Sequence, residues 1–258
     1  MPITSYIYGA DVDNNIWEVE FSDTSYQNVI KVVDGTRINA SVNCIAWCEH
    51  HDRLYMANQG LPMFKEWKRN PDTISDIGGI GHGMTSEPNN AAYWAESFWW
   101  FTHNSNILNE LQLNYSAPAK PGLANVTSSN HNSWAVRGMD LPASGVGPNT
   151  NSFGDIAIDN DGILYGHTSR GRFYKVNLSD PETTFEEISA SLGNDNKKGL
   201  QLSFSSDYSI LFGHDYEDGK WYTINLINGN LTEIVGAVTA VGSDGHGFRD
   251  LGGVSSAT

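Results

Sequence analysis

Short apolar and alternating runs recur along the chain, separated by clusters of Gly, Asn, Asp and Ser. That pattern predicts antiparallel strands joined by tight turns. The segment FGDIAIDNDGILYGHTSRGRFYKVNL, residues 153–178, shows it most plainly. An apolar strand at Ile156–Ile158 runs into a DNDG turn at Asp159–Gly162, then a second strand at Ile163–Gly166 and a third at Phe173–Leu178. The same order returns in GLQLSFSSDYSILFGHDYEDGKWYTINL, residues 199–226.

Two tandem copies prompt a search for a repeat, and five hairpins emerge: Tyr6–Phe21, Arg53–Trp67, Phe98–Leu113, Ile163–Leu178 and Ile210–Leu226. Each joins an aromatic-rich strand to an alternating strand through a polar turn. A short, partly polar outer strand follows each hairpin, at Gln27–Val33, Thr73–Gly78, Ser133–Met139, Thr184–Ala190 and Leu231–Ala237. An inner strand precedes each hairpin but the first, starting near Val42, Asn90, Gly154 and Gly199. The missing one appears at the far end as GFRDLGG, Gly247–Gly253, in parallel with FGDIAID. The segment Tyr115–His131, rich in Pro, Ser and Asn, is expected to be an insertion loop.

One unit assembled from both ends of the chain is how a ring of blades closes, and closure removes exposed sheet edges. The chain therefore resembles five-bladed β-propeller proteins over nearly its whole length. The stretch GDIAIDNDGILYG is similar to propeller repeats that carry a D-x-A-x-D-x-x-G-x-L-Y pattern. The resemblance implies an all-β fold of four-stranded antiparallel blades at 247–258 plus 5–36, 41–80, 89–140, 152–191 and 198–238, in one domain. It does not select a function, since ring architectures host lectins, glycosidases, lactonases and scaffolds alike.

Composition narrows the partners. With 15 Lys and Arg against 30 Asp and Glu, the net charge is −15. An acidic surface repels phosphate backbones and anionic membranes, so neither nucleic acid nor membrane is an expected partner. No apolar run reaches the length of a membrane span, and the start MPITSYIYGADVDNN has no secretory-leader pattern. The expected location is cytoplasmic or virion-associated. Cys44, Cys48, His50 and His51 form a C-x3-C-x-H-H group, but an extended strand cannot converge those side chains on one metal ion. The expectation is two buried thiols, with no metal and no cofactor.

In register, the first polar positions of the inner strands form a ring at one channel mouth: Asp155, Gln201 and Asp250, with Asn43 or Cys44 and Asn90 or Ala91. Carboxylates and amides facing a small opening could hold a cation or orient a sugar. The alternative is channel lining in which the Asp side chains accept backbone hydrogen bonds. His82 and His246, each flanked by Gly, fall on loops between blades and are further ligand-binding candidates. His167 and His214 occupy equal places in two hairpins, which suggests a repeated structural job such as an inter-blade hydrogen bond. The aromatic run Tyr93, Trp94, Phe98, Trp99, Trp100 and Phe101 should pack between blades, with Trp134 and Tyr216 as weaker stacking candidates.

Several motifs fail. The DNDG turn lacks the bidentate Glu of a calcium loop, having Arg170 at its twelfth position. No phosphate loop, H-E-x-x-H or G-x-S-x-G is present. The leading expectation is a non-catalytic binding or structural module for a protein partner or glycan, such as a phage-type decoration or fibre protein. The alternative is a glycoside hydrolase or lectin at the channel mouth. A hydrolase would use Asp155 and Asp250 as nucleophile or base, with Glu49 or Glu96 as proton donor.

Overall fold

Each of the five expected hairpins is present in the computed structural model. The structure describes residues 2–57, 64–78, 88, 90–102, 105–115, 123–138, 153–168, 171–190 and 200–252, without the side chains of 123–129, 153 and 168. The first blade joins β1 (Thr4–Ala10), β2 (Ile16–Ser22) and β3 (Ser25–Val33) to the last strand, β20 (Asp250–Gly252). The second comprises β4 (Cys44–Cys48), β5 (Arg53–Ala57), β6 (Phe64–Lys68) and β7 (Thr73–Gly78). The third comprises β8 (Ala92–Trp94), β9 (Ser97–Phe101), β10 (Ile107–Asn114) and β11 (Leu123–Ala135). The fourth runs β12 (Phe153–Ile158), β13 (Ile163–Thr168), β14 (Phe173–Asn177) and β15 (Glu186–Ser189). The fifth runs β16 (Leu200–Phe204), β17 (Leu211–Asp215), β18 (Lys220–Ile224) and β19 (Leu231–Val238). A single helical turn, α1 (Gly35–Ile38), links the first two blades.

The protein is a five-bladed β-propeller. The ring closes as the repeat predicts: β20 pairs antiparallel with β1, matching Ala10 to Asp250, Gly9 to Leu251 and Tyr8 to Gly252. Around the axis, β20, β4, β8, β12 and β16 each pack beside the next, and β16 returns to β20.

Side-chain burial falls from axis to rim. The strands β4, β5, β9 and β17 are buried at every residue, whereas β19 leaves six of its eight positions at least partly open to solvent and only Ile234 and Ala237 are buried. Five hydrophobic clusters fill the five junctions between blades. An aromatic pair crosses each: Tyr8–Trp47 at 4.4 Å, Phe64–Phe98 at 4.8 Å, Phe101–Tyr174 at 6.4 Å, Tyr165–Phe204 at 5.7 Å and Phe212–Phe21 at 4.7 Å. Large flat side chains suit the wedge between two twisted sheets, and each such ring contributes about 1.5–3 kcal/mol by leaving water. The turns are shaped locally. Asp159 Oδ1 accepts the N–H groups of Asp161 (3.0 Å) and Ile163 (2.9 Å), and Gly162 takes the positive φ of 76° that the turn requires.

One expectation is overturned. Much of the expected insertion loop, from Leu123 onward, is the first part of β11, so the third outer strand begins ten residues earlier than Ser133. That part pairs in parallel with β7 (Leu123 to Asp76, Thr127 to Gly78), joining the second and third blades into one eight-stranded sheet. Its Asn- and Ser-rich sequence reads as loop because an edge strand at the rim needs no alternating apolar face. Residue Met139 of that expected strand lies outside the described residues.

Candidate functional site

Strand register sets five inner positions level around the axis. Asp250 stands opposite Ala10, Cys44 opposite Ala57, and Gln201 opposite His214. Asp155 lies in a β-bulge opposite His167, and Asn90 reaches the same level by accepting the N–H of Phe101 at 3.1 Å. The ring is therefore Asp250, Cys44, Asn90, Asp155 and Gln201. The register places Cys44 there rather than Asn43, whose N–H instead donates to the Ala57 carbonyl at 3.1 Å.

These positions lie against protein. Asp155 is 2% exposed and Asp250 1%, and Asn90 and Cys44 are fully buried; Gln201 alone is half-open. The buried members join one blade to the next. Asp155 accepts the N–H of its own neighbour Ile156 at 2.8 Å and that of Leu202, in the fifth blade, at 2.7 Å. Asp250 does the same one blade on, accepting the N–H of Ile45. Asn90 donates to the Gly154 carbonyl at 2.7 Å. A buried strand N–H left without an acceptor costs about 1–3 kcal/mol, so each of these bonds holds a junction shut.

Across the axis, the Asp155 and Asp250 carboxyls hydrogen-bond to each other. Like charges buried together cannot both ionise, so the pair retains a proton. Burial, then the charge of Asp155, pushes Asp250 well above the carboxylate range. Asp155 is pushed up to about 8 by burial, against the pull of the N–H groups of Leu202 and Ile156. The Cys44 thiol is driven well upward by burial and by Asp250 and Asp155, so it carries no thiolate at neutral pH.

The equal places of His167 and His214 correspond to equal jobs. His167 Nε2 donates to the Leu200 carbonyl, from the fourth blade to the fifth. His214 Nε2 accepts the Phe248 N–H at 3.0 Å, from the fifth to the strand that closes the ring. Opposite roles for the same nitrogen demand opposite tautomers. His214 is buried against Trp221 and Phe248, and burial depresses it to about 3, so it stays neutral.

The proposed proton donors are elsewhere. Glu49 and Glu96 sit in the β4–β5 and β8–β9 turns, at the other end of the strands from Asp155 and Asp250. Both oxygens of Glu96 lie 3.1 Å from His51 Nε2, and the His51 ring stacks on Tyr115 at 3.6 Å. Ala95 and Glu96 both have positive φ, 50° and 60°, a tight turn that holds Glu96 toward His51. Behind it, the Tyr115 hydroxyl bonds to those of Tyr55 (2.7 Å) and Tyr93 (2.8 Å), and the Cys48 thiol is pushed up to about 11 by burial. This junction of the second and third blades has no sequence signal, because its members lie far apart in the chain.

His246 is half-buried on the β19–β20 loop, stacked on Tyr216 at 5.0 Å, with Nδ1 3.0 Å from the Glu217 carbonyl. His82 lies outside the described residues. The aromatic run packs between blades, apart from the half-buried Trp94, and Trp134 lies stacked on Trp99 at 5.5 Å. Cys44 and Cys48 are free thiols at the two ends of β4, and among the described residues no three His, Cys, Asp or Glu side chains gather as metal ligands.

No protein family matches the sequence, and no curated protein matches it. Solved structures do resemble the fold. A chain of a nidogen/laminin complex superposes with a TM-score of 0.54 at 12% identity, covering 93% of this chain and 81% of that one. A functionally unknown protein from Desulfotomaculum acetoxidans DSM 771 gives 0.46 at 13%, covering 90% and 69%. Virginiamycin B lyase from Staphylococcus aureus gives 0.46 at 10%, covering 89% and 69%. At these identities the likeness concerns the propeller architecture alone.

Proposed function

We propose that the protein is a non-catalytic β-propeller that binds a protein partner. The observation that supports this reading is the use made of Asp155 and Asp250. Both are buried, both accept N–H groups from an adjacent blade, and they share a proton with each other. A carboxylate engaged in this way is a poor nucleophile or base toward a sugar, and the Glu residues that would complete a hydrolase stand at the opposite end of the blades. A rigid ring with polar loops is suited to hold a binding surface in place. A net charge of −15 favours partners that present basic surface. Service as a decoration or fibre protein of a phage-type particle is one assembly of this kind, and mass spectrometry of purified particles tests for the chain directly.

Sugar-release assays over a panel of polysaccharides, together with a glycan array, test the reading. The expected outcome is neither release nor binding above background. Release that disappears in Asp155→Asn, with circular dichroism unchanged, would overturn it in favour of the hydrolase. Array binding that depends on Gln201, Asn43, Asn90 or His246 would overturn it in favour of a lectin.

A further inference from the structure

A cleft of about 390 Å³ separates β19 from β3, but its one lining carboxylate, Glu233, lies 3.1 Å from Lys220 Nζ and is already balanced. The flank of the first blade that looks toward the second is different. Strand register lays Tyr6, Glu20 and Asn28 in one row across β1, β2 and β3, and Tyr8, Glu18 and Ile30 in the next. Opposed side chains and those two apart on a strand share a face, so both rows turn toward the second blade, where Tyr8 meets Trp47 and Trp67. The second blade covers only part of that face. Tyr8 is buried, whereas Tyr6 is 37% and Ile30 45% exposed, and Glu20 is half-buried.

The charges on this face do not balance. Glu18 accepts the Tyr8 hydroxyl at 2.6 Å and Arg69 at 2.7 Å, and the Arg69 guanidinium also lies over the Tyr8 and Trp47 rings. Asp52 stands 3.6 Å from Arg69 Nε and is drawn down by Lys68. Arg69 and Lys68 thus answer Glu18 and Asp52. Glu20 is left over, with no hydrogen-bond or ion-pair partner among the described residues. Its charge is felt next door: burial, then Glu20, then Asp52 raise Glu18 above its ordinary range even with Arg69 beside it. An unanswered carboxylate therefore sits between an exposed aromatic ring, Tyr6, and an exposed aliphatic group, Ile30.

We infer that this face receives an Arg or Lys side chain of a protein partner. The cationic head meets Glu20, and the stem lies along Tyr6 and Ile30. Such side chains join an apolar stem to a positive head, which is the complement of a carboxylate set among apolar groups, and a cation over Tyr6 gains from the ring face as well. A phosphate or carboxylate ligand would meet like charge. A sugar would stack on Tyr6 with no use for the charge, and a second copy would bring −15 against −15. The inference rests on the reading of the protein as a binding module and names a surface of that module.

An array of short peptides, each with a central Arg, Lys or citrulline between varied residues, tests it when probed with the full chain. Arg and Lys peptides with apolar neighbours should bind. Citrulline keeps the shape without the charge and should weaken them about fivefold. Glu20→Gln should weaken the Arg and Lys peptides by a similar factor in anisotropy titrations, and added salt should shrink that difference. Tyr6→Ala should cost about threefold, and Glu233→Gln, at the other cleft, should change nothing. An unaltered thermal midpoint in Glu20→Gln shows that the fold is kept. Failure of every peptide overturns the inference. Binding indifferent to citrulline and to Glu20→Gln also overturns it, and leaves the binding-module reading standing. A dimer in light scattering that Glu20→Gln dissolves assigns the face to a second copy and overturns it too. Glycan-array binding lost in Tyr6→Ala, or sugar release that depends on Asp155, removes the underlying reading and the inference with it.

Discussion

The axis and the rim of this ring use polar groups in opposite ways. At the axis, Asp155, Asp250 and Asn90 are buried and engaged in bonds that tie one inner strand to the next. At the rim between the fifth and first blades, the outer strands β19 and β3 each end their sheets, and Val235 there is 92% exposed. The channel mouth, where a ring can hold a ligand, serves here to hold the ring, and the open strand edges are outside. A buried polar group must find an acceptor within the protein, whereas an exposed edge can wait in water at little cost.

That contrast can be tested at decreasing scale. A methyl group on Gly154 would collide with the His167 ring, displacing the donor to Leu200. Gly154→Ala should therefore destabilise by about 3 kcal/mol, read as a shift in the urea midpoint. Asp155→Asn sets an amide NH₂ against a strand N–H and should cost about 1–3 kcal/mol. Asp250→Asn likewise alters a buried carboxyl that accepts a strand N–H of the next blade, from Ile45, and should cost a similar amount. A loss below about 0.5 kcal/mol in either variant, measured by thermal unfolding, would contradict the tie that its carboxyl makes to the next blade.

The next effect depends on pH. The folded pKa of Asp155 is raised to about 8, so the folded state keeps a proton that the unfolded state has released. Its contribution is fully present below the ordinary carboxylate range and is lost as pH rises to about 8. His214 has the opposite sense: held down to about 3, it contributes fully above the ordinary imidazole value of 6.5 and loses its contribution as pH falls toward 3. Between 6.5 and 8 only the Asp155 slope of these two remains. Wild-type stability should fall across that window, and Asp155→Asn should flatten it in denaturant titrations. The smallest effect belongs to the rim, where Val235→Lys should change stability by less than about 0.5 kcal/mol by calorimetry.

Much of the architecture was legible in residue order, since strand alternation, Asp-led turns and the match of GFRDLGG to FGDIAID are local signals. The level ring was legible too, because inner strands share a register, although Cys44 rather than Asn43 stands in it. The shared job of His167 and His214 followed from their repeated place. What their side chains touch did not follow, nor did the burial of Asp155 and Asp250, because those contacts join residues from 33 to 205 positions apart. The start of β11 was misread since its partner, β7, is in another blade.

The sequence by itself therefore determined the blade count, the hairpins and the closure of the ring, because each depends on neighbours along the chain. The tertiary structure alone decided that Asp155 and Asp250 face each other, and that β19 and β3 leave a cleft. Closing the ring brings distant strands to one axis and leaves others unpaired at the rim, and no periodicity in the chain records which meet.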